Sequence, residues 1–512
     1  MVRRHAACSG VPGRSGGLGG WVLATPLASW RRAAPACPPR TARATLRAGR
    51  GMAPAARRAA VVVGSGFVGL SSALALQRTG RFASVTLLER AAGGAGSRAS
   101  ASAGNAGTFA AYANIPVARP GLWKDALPML LDNTKPLSLA ATPHLLRMLP
   151  WAARFLRACR PDAVRHSALA LGALLREAQA AYDAIFEQAG VDVDASMGAA
   201  YAPNPESVEL PFAARNGYMI LQRTPEAMEG SKASAALRRE GLGPSLRMEA
   251  LDTAGVRDLE PGVSERACGG GAWYFPDGWF LRDPAALCRA LADGFEAGGG
   301  KIVSGAKGDV VSLVPGAGGT RVSVRTAGGA AHEADVCVIA AGAHSAALSR
   351  SLGERIPLDT ERGYHVEWAQ GSEATLTRPV CSVDGGFIAT PMANGMRAAG
   401  LVEFGGTRAP PVRARFDQLE RATRELLVDD SARGLGTREA GRDWLGFRPT
   451  LPDALPVIGR ARSCEAVIYA FGAQHIGWTC GGITAKLVTE LALGEEPSVD
   501  LAPYSASRFR LW

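Results

Sequence analysis

The sequence predicts an α/β fold, and three stretches predict it. Residues 59–90 read as strand, glycine turn, helix, strand. Residues 335–342, DVCVIAAG, read as a buried strand that runs into another glycine turn. Residues 466–482 read as a last strand leading to a glycine-rich stretch that opens a helix. Strands that alternate with helices indicate a parallel sheet covered on both faces. These stretches lie far apart in the chain, so the domain is discontinuous. A Rossmann-like domain is expected from 59–115, 265–355 and 440–512. An α+β domain with a mainly antiparallel sheet is expected from 116–264 and 356–439. At 512 residues, two domains are the natural division.

The first unit is the most informative. Ala60–Val63 is a short β-branched run of the kind buried on both faces. Gly64-Ser65-Gly66-Phe67-Val68-Gly69 then fits G-x-G-x-x-G. Gly64 permits the tight turn, Gly66 admits a pyrophosphate to the backbone, and Gly69 lets the next helix pack on the strand. Leu70–Gln77 supplies that helix, stopped by Gly80, and its N-terminal N–H groups face the phosphates. Val85–Leu88 is the second strand and closes on Glu89 and Arg90. Glu89 follows Gly69 by 20 positions, the offset at which an acid accepts ribose hydroxyls. That acid disfavours a 2′-phosphate and so argues against NADP. Next comes AAGGAGSRASASAGNAG, Ala91–Gly107. A low-complexity linker has the same composition. Its place directly after the second strand favours phosphate contacts, through Ser97, Ser100, Ser102 and the backbone around Asn105 and Ala106.

Charge and cysteine content exclude other classes. Of the 57 Lys and Arg, eleven are arginines within residues 1–58, which hold no acid; the other 46 match the 46 Asp and Glu. The net charge of +11 therefore belongs to the N-terminus and does not argue for nucleic acid. Residues 1–58 read as a disordered organelle-targeting leader, with mitochondrion favoured over plastid because serines are few. A start at Met52 would instead leave the protein in the cytoplasm. The nine cysteines show no C-x-x-C pair, so neither a disulfide framework nor a metal site is indicated. No run of 18 apolar residues predicts a membrane span.

Further along, 111–202 is expected to be largely helical. Leu145, Leu146, Leu149, Ala152, Ala153 and Leu156 recur at helical spacing with arginines between them. This is the face of an ordinary amphipathic helix or of a peripheral membrane contact. Ser167–Ala189 is a second helix, ended by Gly190. Asp283-Pro284 starts a helix that Gly298-Gly299-Gly300 stops. Lys301–Val303 is a strand, and 310–314 pairs with 321–325 as a hairpin. Gly342 ends the strand at 335–342. Strands follow at 356–368 and 386–404, a helix at 417–430, the last strand at 466–470 and the last helix at 483–493.

Together VVVGSGFVGLSSALAL, ASASAGNAG, WYFPDGW with the following DP, RGY at Arg362–Tyr364, GFRPTLPDALPVIG and HIGWTCGGITAKL resemble the FAD-dependent amine oxidoreductases: glycine oxidase, sarcosine oxidase and D-amino-acid oxidase-like enzymes. Within that group the chain is most similar to the small-subunit type of D-amino-acid dehydrogenase. The resemblance covers Ala59 to Leu493. It implies FAD with its pyrophosphate at Gly64–Gly69 and its ribose at Glu89. It also implies that the turn carrying Gly477, Trp478, Thr479, Gly481 and Gly482 faces the flavin. Relatives with covalent flavin carry a cysteine in the stretch matching GFRPTLPD; none lies between Cys381 and Cys464 here, which implies non-covalent FAD.

The resemblance further implies oxidative deamination of a D-amino acid to a 2-oxo acid, with hydride passing from the α-carbon to flavin N5. Arg448 would hold the substrate carboxylate, because a planar guanidinium does so bidentately. Where the group often adds a tyrosine, this chain has Phe387 and Ile388, so Tyr364 is the expected substitute. His475 is expected beside the flavin, as is His365. The electron acceptor is left open among a quinone, a carrier protein and oxygen. Two alternatives stand beside this reading: a glycine or sarcosine-type amine oxidase, and a non-catalytic FAD-binding assembly protein of an organelle.

Overall fold

The computed structural model describes residues 58–121, 135–140, 142–191, 213–369 and 371–509. The expected leader, apart from Arg58, lies outside the described residues. So do 122–134 and 192–202 of the expected helical region.

The opening unit forms from β1 (Ala59–Val63), α1 (Phe67–Arg78) and β2 (Ser84–Glu89). Helix α1 begins three residues earlier than expected, because Gly66 is the extended residue that caps it. Two helices follow, α2 (His144–Ala158) and α3 (Pro161–Ala189). Pro161 starts α3 at a position where its missing N–H costs nothing, and Gly190 ends it with φ 65°. Next come β3 (Tyr218–Leu221), α4 (Pro225–Leu242), β4 (Ala272–Phe275), α5 (Pro284–Ala297), β5 (Lys301–Ser304) and β6 (Val336–Ile339). The long second half adds β7 (Asp359–Glu367), β8 (Val380–Ser382), β9 (Phe387–Met392), β10 (Gly395–Phe404) and α6 (Arg413–Leu426). It closes with β11 (Trp444–Thr450), β12 (Val457–Arg460), β13 (Val467–Phe471) and α7 (Gly481–Leu493).

Six strands form one sheet in the order β5-β2-β1-β6-β13-β12, parallel except for β12. Its central strands β1, β6 and β13 are apolar at every turn of the pleat because both faces are covered. Ala60, Val62, Leu87 and Val338 point to a face packed by Leu70 and Leu74 of α1, Tyr182 of α3, Leu291 of α5 and Val488 of α7. Val61, Val63, Cys337 and Tyr469 point to the other face. There the expected hairpin, extended to three strands, supplies Leu313, Val322 and Val324.

The second sheet has nine strands. Its main path runs β11-β7-β10-β9-β8-β3-β4 and ends on Glu249–Leu251, with Leu137–Leu139 beside β10. Neighbours are antiparallel except at β8 with β3 and at β10 with 137–139. One face is sealed by α6, through Phe416 and Leu419 packed with Tyr364, Val366 and Phe387. The other face looks toward the first sheet. Two segments expected with the nucleotide-binding part, 272–275 and 444–450, pair into this second sheet instead. Conversely α3, expected with the substrate part, packs on α1 and α7.

Candidate active site

The site is built where the two sheets face each other, and the glycine turn after β1 forms one side. Gly64 has φ 104°, and a Cβ there would lie 2.6 Å from the carbonyl oxygen of Ala340. A Cβ on Gly69 would overlap the carbonyl of Gly64 itself, so α1 crosses β1 with no side chain between them. Helix α1 has no acid in its first turn, and Gly66 offers no side-chain cap; only Phe67 N finds a hydroxyl, Ser102 Oγ at 3.0 Å. That leaves N–H donors and the positive end of the helix dipole for an anion. Glu89 stands at the end of β2, and its carboxylate accepts from Ser65 N at 2.8 Å, Ser65 Oγ at 2.7 Å and Ala91 N at 2.7 Å. Val68 stays partly open beside this turn, and Arg90 is exposed next to Glu89. On the far side, nothing lies within 4 Å of a Cβ built on Gly342, and only Ala473 at 3.9 Å approaches one on Gly477. These donors, the oriented acid and the bare glycines fit an FAD pyrophosphate and ribose.

The serine-rich stretch is a strap between the sheets rather than a free loop. Ser100 Oγ accepts from Ser102 N at 3.1 Å, and Asn105 clamps its own turn through Ser102 O and Gly107 N. Second-sheet side chains then seize its carbonyls. Trp444 Nε1 donates to Arg98 O at 2.6 Å, Arg397 Nη1 to Asn105 O at 2.7 Å and Thr390 Oγ1 to Ala106 O at 3.0 Å. His365 Nδ1 meets Gly104 O at 2.8 Å, and its ring stacks on Trp444 at 5.0 Å. A Cβ on Gly104 or Gly446 would collide with the Trp444 ring, so both glycines are needed for it to lie flat. Burial, then the Arg397 charge, hold His365 well below its ordinary pKa, so it is neutral at pH 7.

Arg448 occupies the face of the second sheet that looks into the site. Its guanidinium lies flat on Gly363, where a Cβ would come within 2.5 Å. Nη1 donates to Leu401 O at 2.7 Å and Nη2 to Gly400 O at 3.2 Å. Those carbonyls are turned inward by a bulge: the β7–β10 register shifts between Arg362 and Tyr364, and Leu401 adopts φ 57°. Left-handed backbone at a leucine is strained, and here it orients the arginine. Two of five N–H donors are used, leaving the others for a carboxylate. Beneath, buried Glu361 spends its carboxylate on Thr450 Oγ1 at 2.9 Å and Gln474 Nε2 at 3.0 Å. Burial raises its pKa, and the nearby Arg448 charge opposes that rise.

His475 follows Gln474, itself at φ 49°. Its ring is open to the recess yet deep within it. Burial, then the charges of Arg448 and Arg238, lower its pKa to about 4. His475 therefore lies within reach of the Arg448 charge.

Tyr364, expected in the site, faces away from it. Strand positions alternate, so Glu361, Gly363 and His365 face the site while Arg362, Tyr364 and Val366 face α6. The Tyr364 hydroxyl donates to Glu403 Oε1 at 2.9 Å and accepts from Val412 N at 3.2 Å. Ile388 rather than Phe387 takes the site side of β9, since Phe387 belongs to the cluster beneath α6. The turn before α7 also differs in part from expectation. Trp478 is buried against Phe67 at 4.4 Å and Tyr182 at 4.6 Å. A Cβ on Gly481 would strike the Tyr182 hydroxyl, and one on Gly482 would lie 2.9 Å from Tyr182 N. Thr479 Oγ1 accepts from Ala110 N at 2.9 Å. Thus Gly477 borders open space, whereas Trp478, Thr479, Gly481 and Gly482 seat α7 on its neighbours. Sequence reasoning missed Glu361, Gln474, Arg397 and Trp444. The one signal for Glu361 was its two-residue offset from the glycine of RGY.

A family model described as FAD dependent oxidoreductase (DAO) matches residues 59–491. A D-amino-acid oxidase of Bradyrhizobium diazoefficiens is 33% identical over 457 residues, covering 88% of this chain and 99% of the relative. A D-amino acid dehydrogenase of Cereibacter sphaeroides is 28% identical over 466 residues, covering 88% and 95%. Among solved structures, glycine oxidase from Geobacillus kaustophilus superposes with a TM-score of 0.60 at 21% identity, covering 88% of this chain and 99% of that one. L-amino acid deaminase from Proteus myxofaciens gives 0.60 at 15%, covering 91% and 97%.

Proposed function

Because this chain belongs to the family of FAD-dependent oxidoreductases, we propose that it oxidises the Cα–N bond of a D-amino acid, yielding a 2-oxo acid after hydrolysis. One observation carries the choice of an amino acid: Arg448, held flat on Gly363 by two carbonyls, presents its remaining donors to the recess. FAD, when bound, supplies the hydride acceptor. The chain supplies position. Arg448 fixes the carboxylate and thereby the α-carbon, while Glu361, Thr450 and Gln474 hold the floor beneath it. His475 is neutral at pH 7, so it places no positive charge against the substrate's ammonium group. The apolar lining from Ile388, Ile476 and Cys480 keeps water away.

The test is anaerobic bleaching of the bound flavin by a panel of D-amino acids, glycine and sarcosine, repeated in air. Bleaching by D-amino acids supports the reading. Bleaching by glycine or sarcosine alone would replace it with the secondary amine oxidase that the glycine oxidase likeness of fold suggests. No bleaching by any of them would favour a non-catalytic role. Reoxidation rates with oxygen, a soluble quinone and a carrier protein identify the acceptor. The arginine-rich N-terminus supports delivery to an organelle, with mitochondrion favoured. Helix α2 supports a peripheral membrane contact: Leu146, Leu149 and Leu156 are 74%, 63% and 53% exposed among arginines, with no acid in the helix. Among the described residues no helix is long and apolar enough to cross a membrane.

A further inference from the structure

The recess has a second cationic wall that the reaction above does not use. Helix α4 rests on α3 backbone to backbone, because a Cβ on Gly172 would overlap Gly241 O, and Arg176 also donates to that carbonyl. This seat fixes Arg238, one turn earlier. Arg238 Nε donates to Tyr112 O at 2.8 Å, and its guanidinium stands 5.7 Å from the Phe275 ring centroid. Tyr112 is stacked between Tyr218 at 4.5 Å and Phe275 at 4.3 Å.

The wall continues toward the catalytic face. The Tyr218 hydroxyl neighbours the Tyr112 hydroxyl and the Cys381 thiol. Cys381 on β8 is paired with Ile388 on β9 and with Ile220 on β3. These residues form one buried cluster with Ala473, Ile476 and Cys480, which flank His475. His475 lies near enough to both Arg448 and Arg238 to feel their charges.

Three deep arginines of this chain are paired with acids, while Arg415 is held by backbone carbonyls. Arg362 meets Glu403 at 3.0 Å, Arg397 meets Glu367 at 2.6 Å and Arg378 meets Glu260 at 2.7 Å. Among the described residues, Arg238 has no carboxylate within 4 Å, and its two terminal nitrogens have no hydrogen-bond acceptor. Arg238 is half-buried, and a guanidinium with free terminal donors and no counter-ion is placed to take a carboxylate from a ligand. Burial also raises the pKa values of Tyr112 and Tyr218 well above the usual range, so both keep a hydroxyl proton to donate.

We propose that Arg238 is a specificity-determining residue that binds a second carboxylate, so that the preferred substrate is a dicarboxylic D-amino acid held by Arg448 at one end and Arg238 at the other. This rests on the reading that Arg448 takes the α-carboxylate. Tyr112 and Tyr218 would donate to the same side-chain carboxylate.

The test uses the FAD-loaded full chain, its Arg238→Met and Arg238→Lys variants, and two readouts. The first is kcat/KM for D-glutamate and D-aspartate relative to D-alanine. The unaltered protein should prefer the acidic substrates, and Arg238→Met should lower that ratio about 30- to 100-fold, as expected for losing one buried charged partner. The second readout is the flavin absorbance change on titration with unreactive glutarate and with propionate. Glutarate should bind more tightly than propionate, and Arg238→Met should abolish the difference. An unchanged ratio, or a preference for D-alanine in the unaltered protein, overturns the proposal while leaving the oxidase reading intact. Flavin that no D-amino acid bleaches overturns the oxidase reading, and the glutarate titration then decides Arg238 by itself. If Arg238→Met loses its flavin, Arg238→Lys should still lower the ratio about tenfold, since lysine keeps the charge but not the fork; no change there also overturns it.

Discussion

Arg448 is the residue on which the proposed chemistry turns, and its surroundings specify what its loss should do. Arg448→Ala should raise KM for the amino acid steeply, by the equivalent of about 2–5 kcal/mol, and leave FAD content unchanged, because the guanidinium touches Gly363 and carbonyls of β10 rather than the glycine turn. Arg448→Lys should recover only part of this in steady-state kinetics. His475 yields a pH prediction. Its folded pKa of about 4 is below the ordinary 6.5. Between those values the unfolded chain takes up a proton that the folded chain refuses. Its contribution to stability is therefore complete above pH 6.5 and is lost as pH falls toward 4. His475→Gln should lose less thermal stability than the parent across that window, as melting curves at pH 7, 5.5 and 4.5 would show. Arg448 could be read from GFRP because a charged residue between a glycine and a proline stands out. Tyr364 could not be placed. Every residue of β7 from Thr360 to Glu367 is buried, so no alternation of polar and apolar residues says which face is which.

At the scale of elements, the opening strand–turn–helix was legible to within a few residues, since its contacts are local and its glycines are required by backbone approach. Gly69→Ala would drive a methyl into Gly64 O. It should cost about 3 kcal/mol or more, and the purified variant should carry clearly less FAD per chain than the parent. The pairing of 272–275 and 444–450 was not legible. A strand's choice of sheet depends on partners dozens of residues away, as with Tyr364 opposite Leu445 and Trp273 opposite Ile220. The bulge that turns Leu401 toward Arg448 is equally silent in sequence, because leucine is a poor advertisement for left-handed backbone.

For the whole molecule, the first described contacts begin at Arg58, which donates to Ala492 O at 2.8 Å and lies over Phe82 at 5.0 Å. A chain starting at Met52 retains these and every cofactor motif. It should fold, take up FAD in equal amount and match the full chain in activity, whereas fluorescent fusions of the two should differ in compartment if residues 1–51 are an address. With no cysteine between Cys381 and Cys464, acid precipitation should leave the flavin in the supernatant. The strap at 98–106 adds a consequence of a different kind. Its Ser102 reaches Phe67 N at the start of α1, and it is fastened to the opposite sheet by Trp444, Arg397, Thr390 and His365. A dinucleotide held there can escape only during the rare moments when several of these fastenings release together. The residence time of FAD should therefore follow the opening frequency of this backbone strap. Exchange of bound FAD for a labelled analogue should be slow, and Trp444→Phe, which removes one fastening and keeps the ring, should hasten it.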